Sequence, residues 1–467
     1  MPPFKVIISG AGLAGTLLAN GLLNASIPVT VYEREPAHVR REGFQVRLGE
    51  AAMEGFRACL RPDDLAAIRA AFSQATMGLT APALCDTKFR TVLDLRRLPS
   101  YAGSWGVNRV VLREILLSLL KERGCVRFGR GVEGFEVREV DGRERVKVHL
   151  SDGGEDWCDV LIGADGSGSR INKLLGANNL VTIDSHASVL SKGPLPPDWQ
   201  QKLPKRLLDG PVMVFGGDVA LYYALFLPAA DHAESSDGDK ARCKVDEASF
   251  YWGLQVSKNR LPPGQSLDDI QDPLKLCLEA TKDWAPEYHA MLTTGSEYKD
   301  KDVVTNLPLR ASTTLPKDWR RKVEKSTGSE GHPRVWLIGD AIHAMQPTRG
   351  MGGNQAFRDC ADALPRLIRL NDLTKGGVGP SAEDVSIACE EFESVMFERA
   401  FSWVRKSGGT HVPVSFVEAV LESLVLTVDQ RLNFDGVLGT VVWIVGTTVV
   451  VGCKFAAKLW GLFTRSS

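Results

Sequence analysis

Two glycine clusters stand where a backbone, rather than side chains, would meet a ligand. The first, Gly10-x-Gly12-x-x-Gly15, lies between an apolar run at 4–9 ("FKVIIS") and a helical run ("LLANGLLNAS"). In that setting Gly10 permits the tight turn, Gly12 lets a pyrophosphate reach the backbone, and Gly15 lets helix and strand pack closely. The helix start adds free N–H groups and a positive dipole end. "PVTVYERE" reads as the next strand, and Glu33 closes it about 20 residues on, where an acid can hold ribose hydroxyls. The second cluster is "LIGDAIHAMQPTRGMGGNQAF", residues 337–357, in which a strand gives way to an acid, a proline and closely spaced glycines before a helix. Glycines cost conformational entropy, so such a cluster points to positive φ or to a backbone lying against a ligand. Asp340 ends the strand, where an unpaired carboxylate would be costly, so a polar ligand is expected there.

The elements that must position these groups are legible from pattern. Residues 4–33 form a βαβ unit. Helical patterns follow at Glu50–Leu60, Pro62–Phe72 and Val110–Arg123, "VEGFEVREV" and "RVKVHLS" alternate like a hairpin, and "CDVLIGADGSGSR" is another buried strand entering a loop and helix. From about 178 to 325 the texture changes. "PVMVFGGDVALYYALFLP" and "EASFYWGLQVS" predict strands of a mainly antiparallel sheet, with a polar loop, "AADHAESSDGDKARCK", between them. "VWLIG" (335–339) returns to a buried, parallel-type strand, and long helices are expected around 353–370, 382–407 and 414–431. The expected organisation is an α/β, Rossmann-like nucleotide domain in two parts, 1–177 and 326–410. Between them lies a substrate domain at 178–325, and a helical C-terminus covers 411–467.

The bulk numbers agree with a multi-domain enzyme. The chain has 467 residues, 44% hydrophobic and 24% charged, with a formal net charge of −1, which excludes a nucleic-acid electrostatic footprint. The nine cysteines are odd in number and form no C-x-x-C, so neither a disulfide framework nor a metal site is expected. The N-terminus enters a strand pattern without a charged leader, which points to an intracellular protein. One run, 436–463, carries only Lys454 and Lys458 as charges, a candidate for membrane contact beside a cytoplasmic alternative.

Three stretches together resemble the single-component FAD-dependent monooxygenases, the para-hydroxybenzoate-hydroxylase-like aromatic hydroxylases. "GADGSGSRINKLLG" (163–176) looks like the family's DG stretch, "IGDAIHAMQPTRGMGGNQAFRD" (338–359) like its GD stretch, and "NRVVLREIL" (108–116) like its arginine-bearing helix start. They stand in the family's order, and the likeness covers roughly 4–410. The closest look is to fungal secondary-metabolism members. The resemblance implies a GR2-type FAD domain with Asp340 on the ribitol or ribose and the amides around Gly352, Gly353 and Asn354 facing the flavin pyrimidine edge. That helix start would stabilise anionic reduced flavin. Arg109 would sit near the pyrophosphate or adenine, Arg34 would flank the adenosine, and Asp165 would serve both FAD and the nicotinamide. In "GFQVRLG" alternation puts Gln45 and Arg47 on one face, with Arg47 expected on FAD. His343 is expected to be structural. Tyr222 and Tyr223 are adjacent, so one phenol should face the flavin cavity, to bind or help deprotonate substrate, and the other should not. "FYWGL" (250–254) would add aromatic lining.

The implied reaction uses NAD(P)H and O2 to hydroxylate or epoxidise an apolar or aromatic small molecule through a flavin C4a-hydroperoxide. A flavin-dependent halogenase or prenyl reductase on the same scaffold is the alternative, although no W-x-W-x-I-P stretch occurs and Trp252 stands alone. A flavin-binding regulatory protein without turnover is a third reading.

Overall fold

The computed structural model describes residues 3–37, 45–70, 81–95, 104–140, 142–227, 248–261, 264, 266–296, 304–323, 330–374 and 379–412. The polar loop at 229–244, the expected helix at 414–431 and the apolar run at 436–463 lie outside them. Among the described residues no helix is long and apolar enough to cross a membrane.

A five-stranded parallel sheet forms the nucleotide unit, in the order Val335–Leu337, Val160–Gly163, Val6–Ser9, Val29–Glu33, Val126–Phe128. Its three inner strands are nearly or wholly buried, as expected where helices cover both faces. The helix Leu13–Asn24 packs on this sheet and against the long helix Gly352–Thr374, which the helix Ala382–Lys406 covers in turn. The central strand Val6–Ser9 pairs with residues more than 150 positions away, so the nucleotide unit is assembled from both halves of the chain. The expected hairpin is present as Val132–Val140 against Arg143–Leu150, extended by Glu155–Cys158.

The second unit is a seven-stranded sheet: Val304–Ser312, Leu180–Pro194, Ser249–Ser257, Val219–Phe226, Val212–Gly216, Ala83–Cys85, Thr91–Asp94. Every pairing is antiparallel except that of Val212–Gly216 with Ala83–Cys85. The sheet therefore reaches outside 178–325 and recruits two short strands from the N-terminal part. Their runs of three and four residues are too short to announce themselves by alternation. One face of this sheet packs a closed apolar cluster that includes Tyr223, Phe250 and Trp252. The other carries a small cluster around Leu84, Met213 and Phe215. Of the described cysteines, all but Cys125 are buried, and none is bonded.

Candidate active site

A continuous cavity of about 1450 Å³ runs between the two units. All the expected cofactor and catalytic residues line it except Gly15 and Tyr223.

At the nucleotide end the glycines fulfil distinct tasks. Gly10 has φ of +106°, and a Cβ there would lie 2.6 Å from the Ala164 carbonyl oxygen. A Cβ on Gly15 would lie 2.1 Å from the Gly10 oxygen and 3.2 Å from Ile8, so this glycine serves packing rather than the ligand. Gly12 differs, because its Cβ would meet nothing closer than 4.0 Å. It caps the helix Leu13–Asn24 without any side-chain hydrogen bond to the first turn. That leaves open space in front of unpaired helix N–H groups, the arrangement that takes a phosphate.

Glu33 holds this turn in shape. Its carboxylate accepts the Ala11 N–H (2.9 Å) and the Glu35 N–H (3.1 Å). Arg113 completes the brace, for its Nε–H donates to the Ala11 carbonyl at 2.8 Å and its guanidinium lies 4.0 Å from Glu33. Sequence reading chose Arg109, the first residue of the helix Arg109–Lys121, and passed over Arg113 one turn on. The i, i+4 spacing of two cavity-side arginines on that helix was the signal that could have found it. Arg34 lines the cavity but is 65% exposed and lies 3.5 Å from Glu35.

The Asp165 carboxylate is already engaged. It accepts from Ser169 Oγ (2.5 Å) and from the amides of Arg170 (2.8 Å) and Ile171 (3.3 Å). Burial pushes its carboxyl above the ordinary value, and these hydrogen bonds oppose the shift without cancelling it. Its carboxylate thus shapes the loop entering the helix Arg170–Leu174, in addition to lining the cavity. Asp340 differs from expectation in another way. The strand ends at Leu337, the chain turns at Gly339 with φ of +60°, and the Asp340 carboxylate is exposed to the cavity rather than buried. The positive φ at Gly339 swings the acid out of the sheet.

Around the second glycine cluster the protein leaves room. A Cβ on Gly352 would meet nothing closer than 3.7 Å, and one on Gly353 nothing closer than 3.9 Å. Both open the helix Gly352–Thr374. The Asn354 side chain turns away from that space. Its Oδ1 accepts the Gly49 N–H at 2.7 Å, and its Nδ2 donates to the carbonyls of Arg47 (2.8 Å) and Gly350 (3.0 Å). Asn354 therefore ties the strand Gln45–Leu48 to the glycine loop, and only its backbone amide belongs to the helix start. Arg47 reaches Ser104 through Nε at 2.9 Å on the antiparallel partner strand Trp105–Asn108 and its approach.

Behind the loop sits a network that sequence reasoning missed. His343, fully buried, meets Asp359 Oδ2 at 2.6 Å, and the same oxygen accepts the Gly339 N–H at 2.8 Å. Arg399 donates to Asp359 Oδ1 and Asp362 Oδ2, both at 2.8 Å, and to Gln355 Oε1 at 2.6 Å. Burial alone would raise the Asp359 carboxyl, but His343 and Arg399 outweigh it and hold it below the ordinary value. His343 is structural, as expected.

On the large sheet, Tyr222 faces the cavity with its ring 5.9 Å from Tyr251, which also lines it. Tyr223 corrects the expectation of a second catalytic candidate. Strand alternation turns it to the closed face, where it is fully buried, donates to Thr294 Oγ1 at 3.2 Å and stacks on Phe250. The stretch 250–254 divides in the same way, with Tyr251 on the cavity side and Phe250 and Trp252 in the core. Burial, with Tyr222 adding to it, pushes the Tyr251 phenol upward, so at neutral pH it is a hydrogen-bond donor and not a base.

The arrangement fits FAD on three counts drawn from the molecule itself: the open cradle at Gly12, the braced Glu33, and the side-chain-free space at Gly352–Gly353. Comparison with known proteins agrees. A family model described as FAD binding domain matches residues 3–198 and 317–371. The chain is 25% identical to the dual O-methyltransferase/FAD-dependent monooxygenase elcB of Phaeosphaeria nodorum over 86% of this chain and 45% of that protein. It is 26% identical to the FAD-dependent monooxygenase dbaB of Emericella nidulans, over 82% of this chain and 92% of that one. The chain thus spans less than half the length of elcB and of two further dual-function relatives from Cercospora. Among solved structures, Klebsiella pneumoniae HpxO complexed with FAD and uric acid shares the fold, with a TM-score of 0.62 at 19% identity over 92% of each chain.

Proposed function

The chain belongs to the FAD binding domain family of flavoprotein monooxygenases, with FAD as its cofactor, and from that premise we propose that it uses NAD(P)H and O2 to place one oxygen atom on an apolar or aromatic small molecule of the secondary-metabolite kind. One observation carries the reading. The space in front of Gly12 and Glu33 is continuous with that beside Gly352–Gly353 and with the Tyr222 face of the large sheet. A cofactor stretched along the first two would end where a substrate on the third could reach it. When bound, FAD supplies the acceptance of hydride from the nicotinamide and the activation of oxygen.

The chain's own residues supply the rest. The first turn of the helix Leu13–Asn24 would receive the pyrophosphate, with Arg109 as a charge partner. Glu33 and Asp340 would hold sugar and ribitol hydroxyls. The amides of Gly352, Gly353 and Asn354, at a helix start, would lie against the pyrimidine edge and favour negative charge there. Met213 and Phe215 would exclude water, so that the activated oxygen is spent on substrate rather than lost as hydrogen peroxide. Tyr222 and Tyr251 would donate hydrogen bonds to a bound substrate.

Anaerobic titration of the FAD-loaded protein with NADPH, then NADH, tests the reading. Bleaching of the flavin absorbance, followed by incorporation of one atom of labelled O2 into an accepted substrate, is the expected result. A protein that takes up no FAD, or holds it and never bleaches with either nicotinamide, with or without candidate substrates, would overturn it.

A further inference from the structure

The long helix Ala382–Lys406 ends against the loop that precedes the helix Gly352–Thr374. The last carbonyls of a helix have no partner within it, and beyond Lys406 the chain turns at Gly408 and Gly409, with φ of +99° and +56°. Side chains of the loop take up the carbonyls left over. Gln346 Nε2 donates to the Gly409 carbonyl at 2.9 Å and to the His411 carbonyl at 2.7 Å. Thr348 Oγ1 donates to the Ser407 carbonyl at 3.1 Å, and Arg349 Nε to that of Lys406 at 3.3 Å.

The far end of this segment is fixed to the other unit. Val412 is 1% exposed and packs with Ile183, Leu309 and Ala311, which stand on the paired strands Leu180–Pro194 and Val304–Ser312 of the large sheet. Residues 407–412 thus run from the end of one helix, past the loop, to the substrate-side sheet. The loop itself lies on the cavity, which Pro347, Gly350, Gly352 and Gly353 all line. Its start is fixed by the Ser312 N–H on the Ala344 carbonyl (2.8 Å), and its end by Asn354 on the Gly350 carbonyl (3.0 Å). Between these points lie the bonds to residues 406–411. Gln346 is 1% exposed, its amide turned to that segment while the neighbouring Pro347 is open to the cavity.

We propose that residues 407–412 are a strap that sets where the loop 346–350 stands against the flavin, with Gln346 as the positioning residue through which it holds. This rests on the flavoprotein reading above and adds to it a device outside the cofactor's own contacts. The physical effect is electrostatic. The amides of Gly352 and Gly353 favour negative charge on a reduced ring more strongly the closer they stand to it. A loop released from the strap spreads over several positions, and the preference for reduced over oxidised flavin falls.

The test uses FAD-loaded protein and reads the midpoint potential of the bound flavin, by slow reduction with xanthine and xanthine oxidase beside a reference dye. Gln346→Met keeps the length of the side chain and removes the donor. It is expected to lower the ratio of affinities for reduced and oxidised flavin about tenfold, which is about 30 mV toward more negative potential for a two-electron couple. Val412→Ala, at a residue that does not line the cavity, is expected to shift the potential in the same direction by a smaller amount. Tyr223→Phe, a change confined to the closed core, is expected to leave it where it was. A potential unmoved in Gln346→Met overturns the proposal. So does a shift in Gln346→Met with none in Val412→Ala, because the effect would then belong to the cavity wall and not to the strap. An equal shift in Tyr223→Phe overturns it as well, by showing general loosening. If Gln346→Met does not retain FAD, Thr348→Val, which loses the hydroxyl bonded to Ser407, is read in its place against the same outcomes. A wild-type protein that takes up no FAD sinks the parent reading instead, so the two failures are distinguishable.

Discussion

Ala11 is held at both ends of its peptide group, its N–H by Glu33 and its carbonyl by Arg113, and this fixes the direction in which the next amides point. Hydrogen bonds to charged groups contribute about 1.5–3 kcal/mol each. Arg113→Met is therefore expected to weaken FAD binding by tenfold or more, measured by fluorescence titration, and to lower the melting temperature of the FAD-free protein by a few degrees. An unchanged FAD affinity would show that the brace has no bearing on the cofactor. The tyrosine pair offers a contrast between neighbours. Tyr223→Phe loses one hydrogen bond in the closed core and should cost about 1 kcal/mol in denaturant unfolding, with turnover unaltered. Tyr222→Phe should leave unfolding close to wild type but lower the share of NAD(P)H consumption that yields product. Alternation along a strand announced that these two phenols would part company, but it could not say which would face inward, because that depends on the partner strand's register.

The long helices Gly352–Thr374 and Ala382–Lys406 are joined by an ionic contact that also reaches the glycine loop. Arg399, from the second, binds Asp359 and Asp362 of the first, and Asp359 in turn fixes the Gly339 amide and His343. Removing one partner of a buried pair typically costs about 3–5 kcal/mol, so Arg399→Met should lower stability by that order and loosen FAD, read by thermal unfolding and by cofactor retention on gel filtration. The pH dependence follows from the depressed Asp359 carboxyl. Its contribution is fully present above the unfolded-state value of about 3.9 and is lost as pH falls through the lower folded-state value. The stability difference between wild type and Asp359→Asn should accordingly be constant near neutrality and shrink below about pH 4. A difference that does not change with acid would exclude Asp359 as the titrating group. None of this was legible in sequence: Asp359, His343 and Arg399 carry no local spacing that marks a network, and only the packing of two helices brings them together.

At the scale of the molecule, the ligand space belongs to both units at once, and FAD should act as a clamp on the pair. A ligand present at 100 times its dissociation constant stabilises by about 2.7 kcal/mol. Saturation with FAD should therefore raise the melting temperature by several degrees, with nucleotide sheet and large sheet unfolding in one transition. Two separate transitions in the presence of FAD would deny that coupling. What could be read in advance had a common property. The Gly10–Gly15 turn, the Val132–Leu150 hairpin and the glycine loop at 350–353 are each specified within a few dozen consecutive residues. What was missed is long-range: the recruitment of Ala83–Asp94 into the large sheet and Asn354 bridging to residue 49. The apolar cavity face at Met213 and Phe215, backed by Leu84, likewise exists only once strands far apart in sequence are in register.

The position of Val335–Leu337 at the edge of the parallel sheet, next to Val160–Gly163 and one strand from Val6–Ser9, has a consequence for biosynthesis. The strand that leads into the Gly10–Gly15 turn leaves the ribosome well before its neighbour at 160–163 and the sheet's last strand, which emerge only after long intervening stretches have been made. Domains usually fold as units from the N-terminus during synthesis, but here the first strand must wait. Closing so many distant pairings is slow, and in that interval the bare edge of Val6–Ser9 is a template for unwanted pairing with other chains.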